Sequence, residues 1–380
     1  MYRKNNILYL AVIFIAVLIF SLLTVYAASA TKKHLSSSSV SARAAVLYEP
    51  ETQSFIFEKN ADERLPMAST TKIMTALIAI ENSSLDEIVE VDDCAIGTEG
   101  SSAYLKNGDA LTMEELLYAL MLSSANDAAV AIACHVGGDV EGFAALMNEK
   151  AESLGLCNTH FTNPHGLDDK EHYTTARELA IISACALEND TLREISSTYK
   201  KSFITEERSR TYINHNKLLN RYEDSIGLKT GFTKRSGRCL VGAAVRDGLR
   251  FITVTLDAPN DWNDHEQLFD LGYNTLEKIN LSKCGDHSYS IGVIGGTEDR
   301  LTVSCKEEKA IILRKDENII EEHIKLLPFT LAPINEGDTL GEVIFTLNGK
   351  EIERTPITAD FSIAKKEKPG FWKRLASVFN

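Results

Sequence analysis

Pro66-Met67-Ala68-Ser69-Thr70-Thr71-Lys72-Ile73-Met74-Thr75 decides how this 380-residue chain is read. Ile73, Met74, Leu77 and Ile78 recur at helical spacing, so the stretch predicts a helix packed deep in a core with Ser69 at its start. Residues three apart share a helix face, which brings the Lys72 amine back to the Ser69 hydroxyl. A neutral lysine so placed can take the serine's proton during attack on a carbonyl, with no histidine partner. The free N–H groups and positive end of a helix start favour negative charge developing there. Spacing alone does not single out Ser69, because Ser-x-x-Lys recurs with Ser29 and Lys32, Ser197 and Lys200, and Ser362 and Lys365.

Two further polar motifs follow in order, Ser124-Ala125-Asn126 and Lys229-Thr230-Gly231, and each occurs once. Ser124, on an expected loop, could relay a proton between Lys72 and a leaving amine. The Asn126 amide can donate to or accept from a substrate backbone. Lys229 offers fixed positive charge to a carboxylate, Thr230 adds a hydroxyl beside it, and Gly231 lets the strand lie close against a ligand.

The helix begun at Ser69 sits in an α+β pattern. Residues 44–48 and 54–58 read as a hairpin. Thr112 and Glu115 form a capping box for a second helix, and residues 127–136, 139–154 and 175–187 read as further helices. Residues 161–168 form a loop by their Asn-Pro and His-Gly content. Strands at 225–229, leading into Thr230-Gly231, and at 239–246 and 250–257 precede one long closing helix over 261–279. Helices packed on an antiparallel sheet are expected. Beyond 282 no long helical pattern survives, and Asn348-Gly349 marks a hairpin in a separate small all-β domain.

The three motifs resemble the active-site set of the penicillin-binding DD-peptidases and serine β-lactamases. With Leu65-Pro66-Met67-Ala68, Asn163-Pro164-His165-Gly166-Leu167 and Lys229-Thr230-Gly231-Phe232-Thr233, the chain resembles the low-molecular-mass penicillin-binding proteins, serine-type D-alanyl-D-alanine carboxypeptidases. The resemblance implies Ser69 as the acylated nucleophile, Lys72 as its base, and Ser124 and Asn126 on the opposite wall. It implies Lys229 and Thr230 at the substrate carboxylate and the N–H groups of Ser69 and Phe232 as the oxyanion hole. Some relatives carry histidine where Phe232 stands, which bears on substrate preference more than on the chemistry. The implied substrates are peptidoglycan stem peptides, with β-lactams as acylating inhibitors. A serine β-lactamase is an alternative, but residues 161–173, with Asp168, Asp169 and Glu171, lack the class A glutamate pattern. A catalytically idle wall-binding scaffold is another, and it would have no need to keep Ser69 and Lys72 together.

Composition excludes other classes. A net charge of −14 argues against a nucleic-acid partner. The seven cysteines carry no zinc spacing and imply no disulfide framework, and most read as small buried hydrophobes. His160, His165 and His172 lack a ligand spacing and a partner pattern, so no metal and no cofactor are expected. Arg3-Lys4, an apolar run over 7–23 and Ala28-Ser29-Ala30 read as a signal peptide or uncleaved anchor over 1–30, which exports the body to the outer face of the membrane. A polar linker (31–43), a catalytic domain (44–280), a β domain (281–362) and an amphipathic, basic and aromatic tail (363–380) follow, the tail suited to lie in a membrane surface.

Overall fold

A computed structural model describes residues 36–204, 208–282, 287–316 and 319–367. The leader, the start of the linker and the tail beyond 367 lie outside them. Contacts divide the chain into residues 1–41 and 42–380. In the first unit, Ser36 caps a short turn of 3-10 helix, Ser37–Ser39. The architecture below is that of the second.

The hairpin at the start is β1 (Ala44–Glu49) and β2 (Ser54–Lys59). The Glu49 carboxylate closes its turn by accepting from the Glu51 and Thr52 N–H groups, each at 2.8 Å. There follow α1 (Lys72–Asn82), the small pair β3 (Ile88–Glu90) and β4 (Ala110–Thr112), α2 (Met113–Leu122), α3 (Asn126–Gly137) and α4 (Val140–Ser153). Next come α5 (Ala176–Leu187), α6 (Asp190–Ser197), the pair β5 (Lys200–Ile204) and β6 (Ser209–Ile213), and α7 (Leu218–Arg221). Strands β7 (Ser225–Thr233), β8 (Gly237–Arg246) and β9 (Leu249–Leu256) then complete a five-stranded sheet, and α8 (Asp261–Thr275) closes the unit. The sheet order is β2-β1-β9-β8-β7, antiparallel throughout.

Both faces of that sheet are covered, so all six residues of β1 are buried. On β9, Ile252, Val254 and Leu256 join the helical core, while Phe251 meets Tyr273 of α8 edge-on at 4.9 Å between ring centres. Helix α1 packs against α2, α3, α4 and α5. Its residues Lys72 to Ala79 are all buried, as the apolar spacing requires. A helix clamped on every side holds what precedes it rigidly.

Three local readings need correction. Ser69 does not begin the α-helix: it lies in a 3-10 turn, Ala68–Thr71, with α1 starting only at Lys72. Thr112 accepts from the Glu115 N–H at 3.1 Å, but the Glu115 carboxylate turns to Arg208 at 2.9 Å, so only half of the capping box forms. Charge attraction from the β5–β6 hairpin takes it away from the helix start. Thr230 and Gly231 lie on β7, where Thr230 pairs with Leu240 and Gly231 with Cys239, as a strand laid against a ligand requires. Finally, the expected helix over 261–279 ends at Thr275, and Leu276–Ser282 is a strand, β10. Pairing of Ile279 with Ile311 across the sheet outweighs the weak helical continuation.

Its partner is β13 (Lys309–Arg314), which follows β11 (Tyr289–Ile294) and β12 (Arg300–Cys305). With β14 (Ile320–Leu326), β15 (Phe329–Leu331), β16 (Thr339–Leu347) and β17 (Lys350–Ala359), a six-stranded sheet of order β14-β16-β17-β12-β11-β15 forms. Its core includes Ile291, Val293, Leu301, Val303, Val343, Phe345 and Ile357. Asn348 (φ 52°) and Gly349 (φ 79°) form the tight β16–β17 turn read from the sequence.

Candidate active site

The turn that carries Ser69 is shaped from below. Ala68 has φ 48°, a left-handed conformation that alanine rarely adopts. Gly166 (φ 88°) fits beneath it so tightly that a Cβ there would stand 1.9 Å from the Ala68 carbonyl oxygen. The 161–168 loop is itself ordered by Asn163, whose Oδ1 accepts from Gly166 N–H at 2.7 Å and whose Nδ2 donates to Leu167 O at 3.1 Å. The Thr75 hydroxyl donates to Pro164 O at 2.6 Å. His172 Nδ1 accepts from Thr162 N–H at 3.1 Å, so its Nε2 carries the proton and faces Thr71 Oγ1 at 2.8 Å. Thr71 Oγ1 in turn donates to Ala68 O at 2.8 Å. Burial pushes His172 down to about 4 and keeps this chain of bonds neutral.

Lys72 Nζ meets three oxygens: Ser69 Oγ at 2.9 Å, Asn126 Oδ1 at 2.6 Å and His165 O at 2.6 Å. Two of these can only accept. The Asn126 orientation is fixed because its Nδ2 donates to Glu99 O at 2.5 Å. A neutral amine therefore places its two N–H bonds on Asn126 and His165 and leaves its lone pair for the Ser69 hydroxyl. The environment favours that neutral form. Lys72 is 0% exposed, and burial first, then the charge of Lys229, hold its pKa well below the ordinary lysine value, with Asp127 opposing. Ser69 itself is half-buried, open to a substrate from one side.

On the facing wall, Ser124 has φ 58° in the break between α2 and α3, and Asn126 opens α3. The Asn126 N–H donates to Ser101 O at 2.7 Å. Asp127 accepts from Ala103 N–H at 2.9 Å, Leu105 N–H at 3.1 Å and Ser102 Oγ at 2.6 Å. Residues 99–105 thus form a strap over the start of α3. Sequence reasoning missed this strap, which carries no motif, and gave Asp127, although it stands in the second motif's stretch, no role. Ser124 is not among the partners of Lys72, whose amine is held by Asn126 instead. Both ends of the Asn126 amide are occupied inside the protein, so it meets substrate only by exchanging a partner.

The third wall is β7. Gly231 lies against the nucleophile turn, where a Cβ would be 3.0 Å from Ser69 N and 3.1 Å from Met67 O. Lys229, 1% exposed, donates to Thr230 O at 3.1 Å and makes no ion pair among the described residues. Burial alone brings its pKa down to about 7. Thr230 is half-buried and Phe232 is 66% exposed at the rim. Thr233 Oγ1 donates to Asp168 Oδ1 at 2.8 Å, tying β7 to the 161–168 loop. The three motifs thus converge, and the third histidine of the cluster, His160, is bonded through Nδ1 to Glu171 O at 2.6 Å.

Residues 29–260 match the family described as D-alanyl-D-alanine carboxypeptidase, and residues 276–365 match the C-terminal domain of penicillin-binding protein 5. The carboxypeptidase DacF of Bacillus subtilis is 31% identical over 88% of this chain and 88% of its own. Penicillin-binding protein 5 of Haemophilus influenzae superposes with a TM-score of 0.62 at 26% identity, over 86% of this chain and 98% of that one. A mutant of the Streptomyces K15 DD-transpeptidase gives 0.59 at 33% identity, over 62% of this chain and 98% of that one. A serine turn, a buried lysine and a Lys-Thr-Gly strand on this α+β frame, together with those matches, mean that the chain belongs to the D-alanyl-D-alanine carboxypeptidase family.

Proposed function

We propose that this chain is a serine-type DD-carboxypeptidase that removes the terminal D-alanine of peptidoglycan stem peptides through an acyl-enzyme on Ser69. The observation that carries the reading is the Lys72 amine, wholly buried and 2.9 Å from Ser69 Oγ, with two acceptor-only partners on its other side. Ser69 Oγ attacks the D-Ala-D-Ala carbonyl as its proton passes to the Lys72 lone pair. The Ser69 and Phe232 N–H groups receive the developing oxyanion. Lys229 and Thr230 hold the terminal carboxylate, consistent with a buried lysine that has no counter-charge among the described residues. Collapse expels D-alanine as its amine takes a proton, relayed through Ser124. Water then attacks the acyl-enzyme, with Lys72 again accepting a proton. Gly231 keeps the substrate channel open beside Ser69, and Asn126 holds the base in place.

β-Lactams acylate the same serine, since their strained amide mimics the scissile bond. Against a β-lactamase reading stands the lack of the class A glutamate pattern in residues 161–173, where Asp168 instead ties the loop to β7 through Thr233. Residues 1–30 would export the chain to the outer face of the membrane, 44–280 would form the catalytic domain, 281–362 the β domain, and 363–380 a surface anchor. The test is release of D-alanine from a peptide ending in D-Ala-D-Ala by the purified protein. Release that persists in Ser69→Ala would reject the assignment.

A further inference from the structure

The sequence implies no disulfide framework, yet two cysteines forty residues apart in it lie on elements that pack together. Cys94 lies in a 3-10 turn, Asp93–Ala95, and Cys134 lies on α3, against which that turn packs. Val91, just before the turn, and Ala95, its last residue, are buried in the same apolar cluster that Cys134 packs against. Cys94 is exposed, Cys134 half-buried, and both are free thiols. After burial itself, the Cys94 side chain is the neighbour that most perturbs the Cys134 thiol.

We propose that Cys94 and Cys134 are a disulfide site that closes when the protein meets a low-molecular-mass disulfide oxidant such as oxidised glutathione. The exposed Cys94 thiolate attacks one sulfur of the oxidant and expels one glutathione thiolate, leaving a mixed disulfide. Cys134 then loses its proton and attacks the Cys94 sulfur, expelling the second glutathione. Two protein thiols are oxidised and one oxidised glutathione becomes two thiols, so electrons balance. Burial, with the neighbouring Cys94 and the Asp92 and Asp139 charges, pushes the Cys134 thiol up to about 12, which makes the second step the slow one.

The bond matters because of what it ties together. The Cys94 turn leads directly into the 99–105 strap, whose Glu99 and Ser101 carbonyls hold Asn126 and whose Ala103 and Leu105 amides hold Asp127. Cys134 sits on the helix those residues begin. The disulfide would staple the strap to α3 and so fix the frame of the Lys72 partner. This rests on the exported-peptidase reading only for where an oxidant is met. The thiol count below is independent of catalysis.

The full chain is equilibrated with oxidised or reduced glutathione, quenched, denatured, alkylated, digested and mapped by mass. Of the seven cysteines, all should alkylate after reduction and all but two after oxidation. A peptide linking Cys94 to Cys134, lighter by two hydrogens, should appear. The midpoint of thermal unfolding should rise by about 5 °C on oxidation of the wild type and not of Cys94→Ser or Cys134→Ser. Full alkylation of Cys94 and Cys134 after oxidation, glutathione retained on Cys94, or an equal rise in the serine variants would each overturn the proposal.

Discussion

Gly166→Ala puts a methyl group under the nucleophile. Its Cβ would stand 1.9 Å from the Ala68 carbonyl oxygen, 2.4 Å from the Ala68 carbonyl carbon and 2.8 Å from Thr71 Oγ1. Each is at least half an ångström short of ordinary contact, and the nearest well over an ångström. The obstacle is backbone, so no side chain can swing aside. Left-handed φ adds about 1–2 kcal/mol for a residue with a Cβ. Overpacking of this kind adds about 1–3 kcal/mol. The variant should therefore lose about 2–5 kcal/mol of stability and about 5–15 °C in unfolding midpoint. The relief is a shift of Ala68, the residue bonded to Ser69. A displacement near 1 Å of a reacting group costs about 10²-fold. The assay is the second-order rate of acylation by a fluorescent penicillin, measured below the variant's unfolding midpoint. A destabilised variant that acylates within about threefold of wild type would refute the claim that Gly166 sets the position of Ser69.

Three other outcomes follow from the geometry. Lys72→Arg keeps the charge but removes the accessible lone pair, and acylation should fall by at least about 10²-fold; near-normal acylation would move the base elsewhere. Free Lys229 loses its charge as pH rises through about 7. Affinity for a peptide with a free C-terminus should then decline by up to about tenfold per pH unit above that point, while an amidated peptide stays flat; parallel profiles would deny Lys229 the carboxylate. Deleting residues 371–380 should release the chain lacking 1–30 from anionic vesicles at low salt, and unchanged sedimentation would remove the tail as an anchor.

The chemistry was more legible than the geometry that enforces it. Ser69, Lys72, Asn126, Lys229 and Gly231 stand together because short motifs carry them on elements whose hydrophobic periodicity is strong. The 3-10 form of the serine turn was not legible, since alanine at φ 48° contradicts local preference and persists only through Gly166, Thr71 and His172. The choice of Asn126 over Ser124 as the Lys72 partner depends on the 99–105 strap, held by long-range backbone bonds that leave no local signature. The end of α8 was overrun for a related reason. Leu276 to Ile279 suit either a helix or a strand, and a partner more than thirty residues on, Ile311, decides.

The central claim is that Ser69 alone among the Ser-x-x-Lys serines is activated. Ser197 and Ser362 are exposed on the surface, whereas Ser69 faces a buried amine. The most direct measurement is mass mapping of the protein after brief exposure to labelled penicillin. One adduct per chain, on the peptide containing Ser69 and absent from Ser69→Ala, is the predicted result. An adduct on Ser197, Ser362 or any other residue, or undiminished labelling of Ser69→Ala, would contradict it.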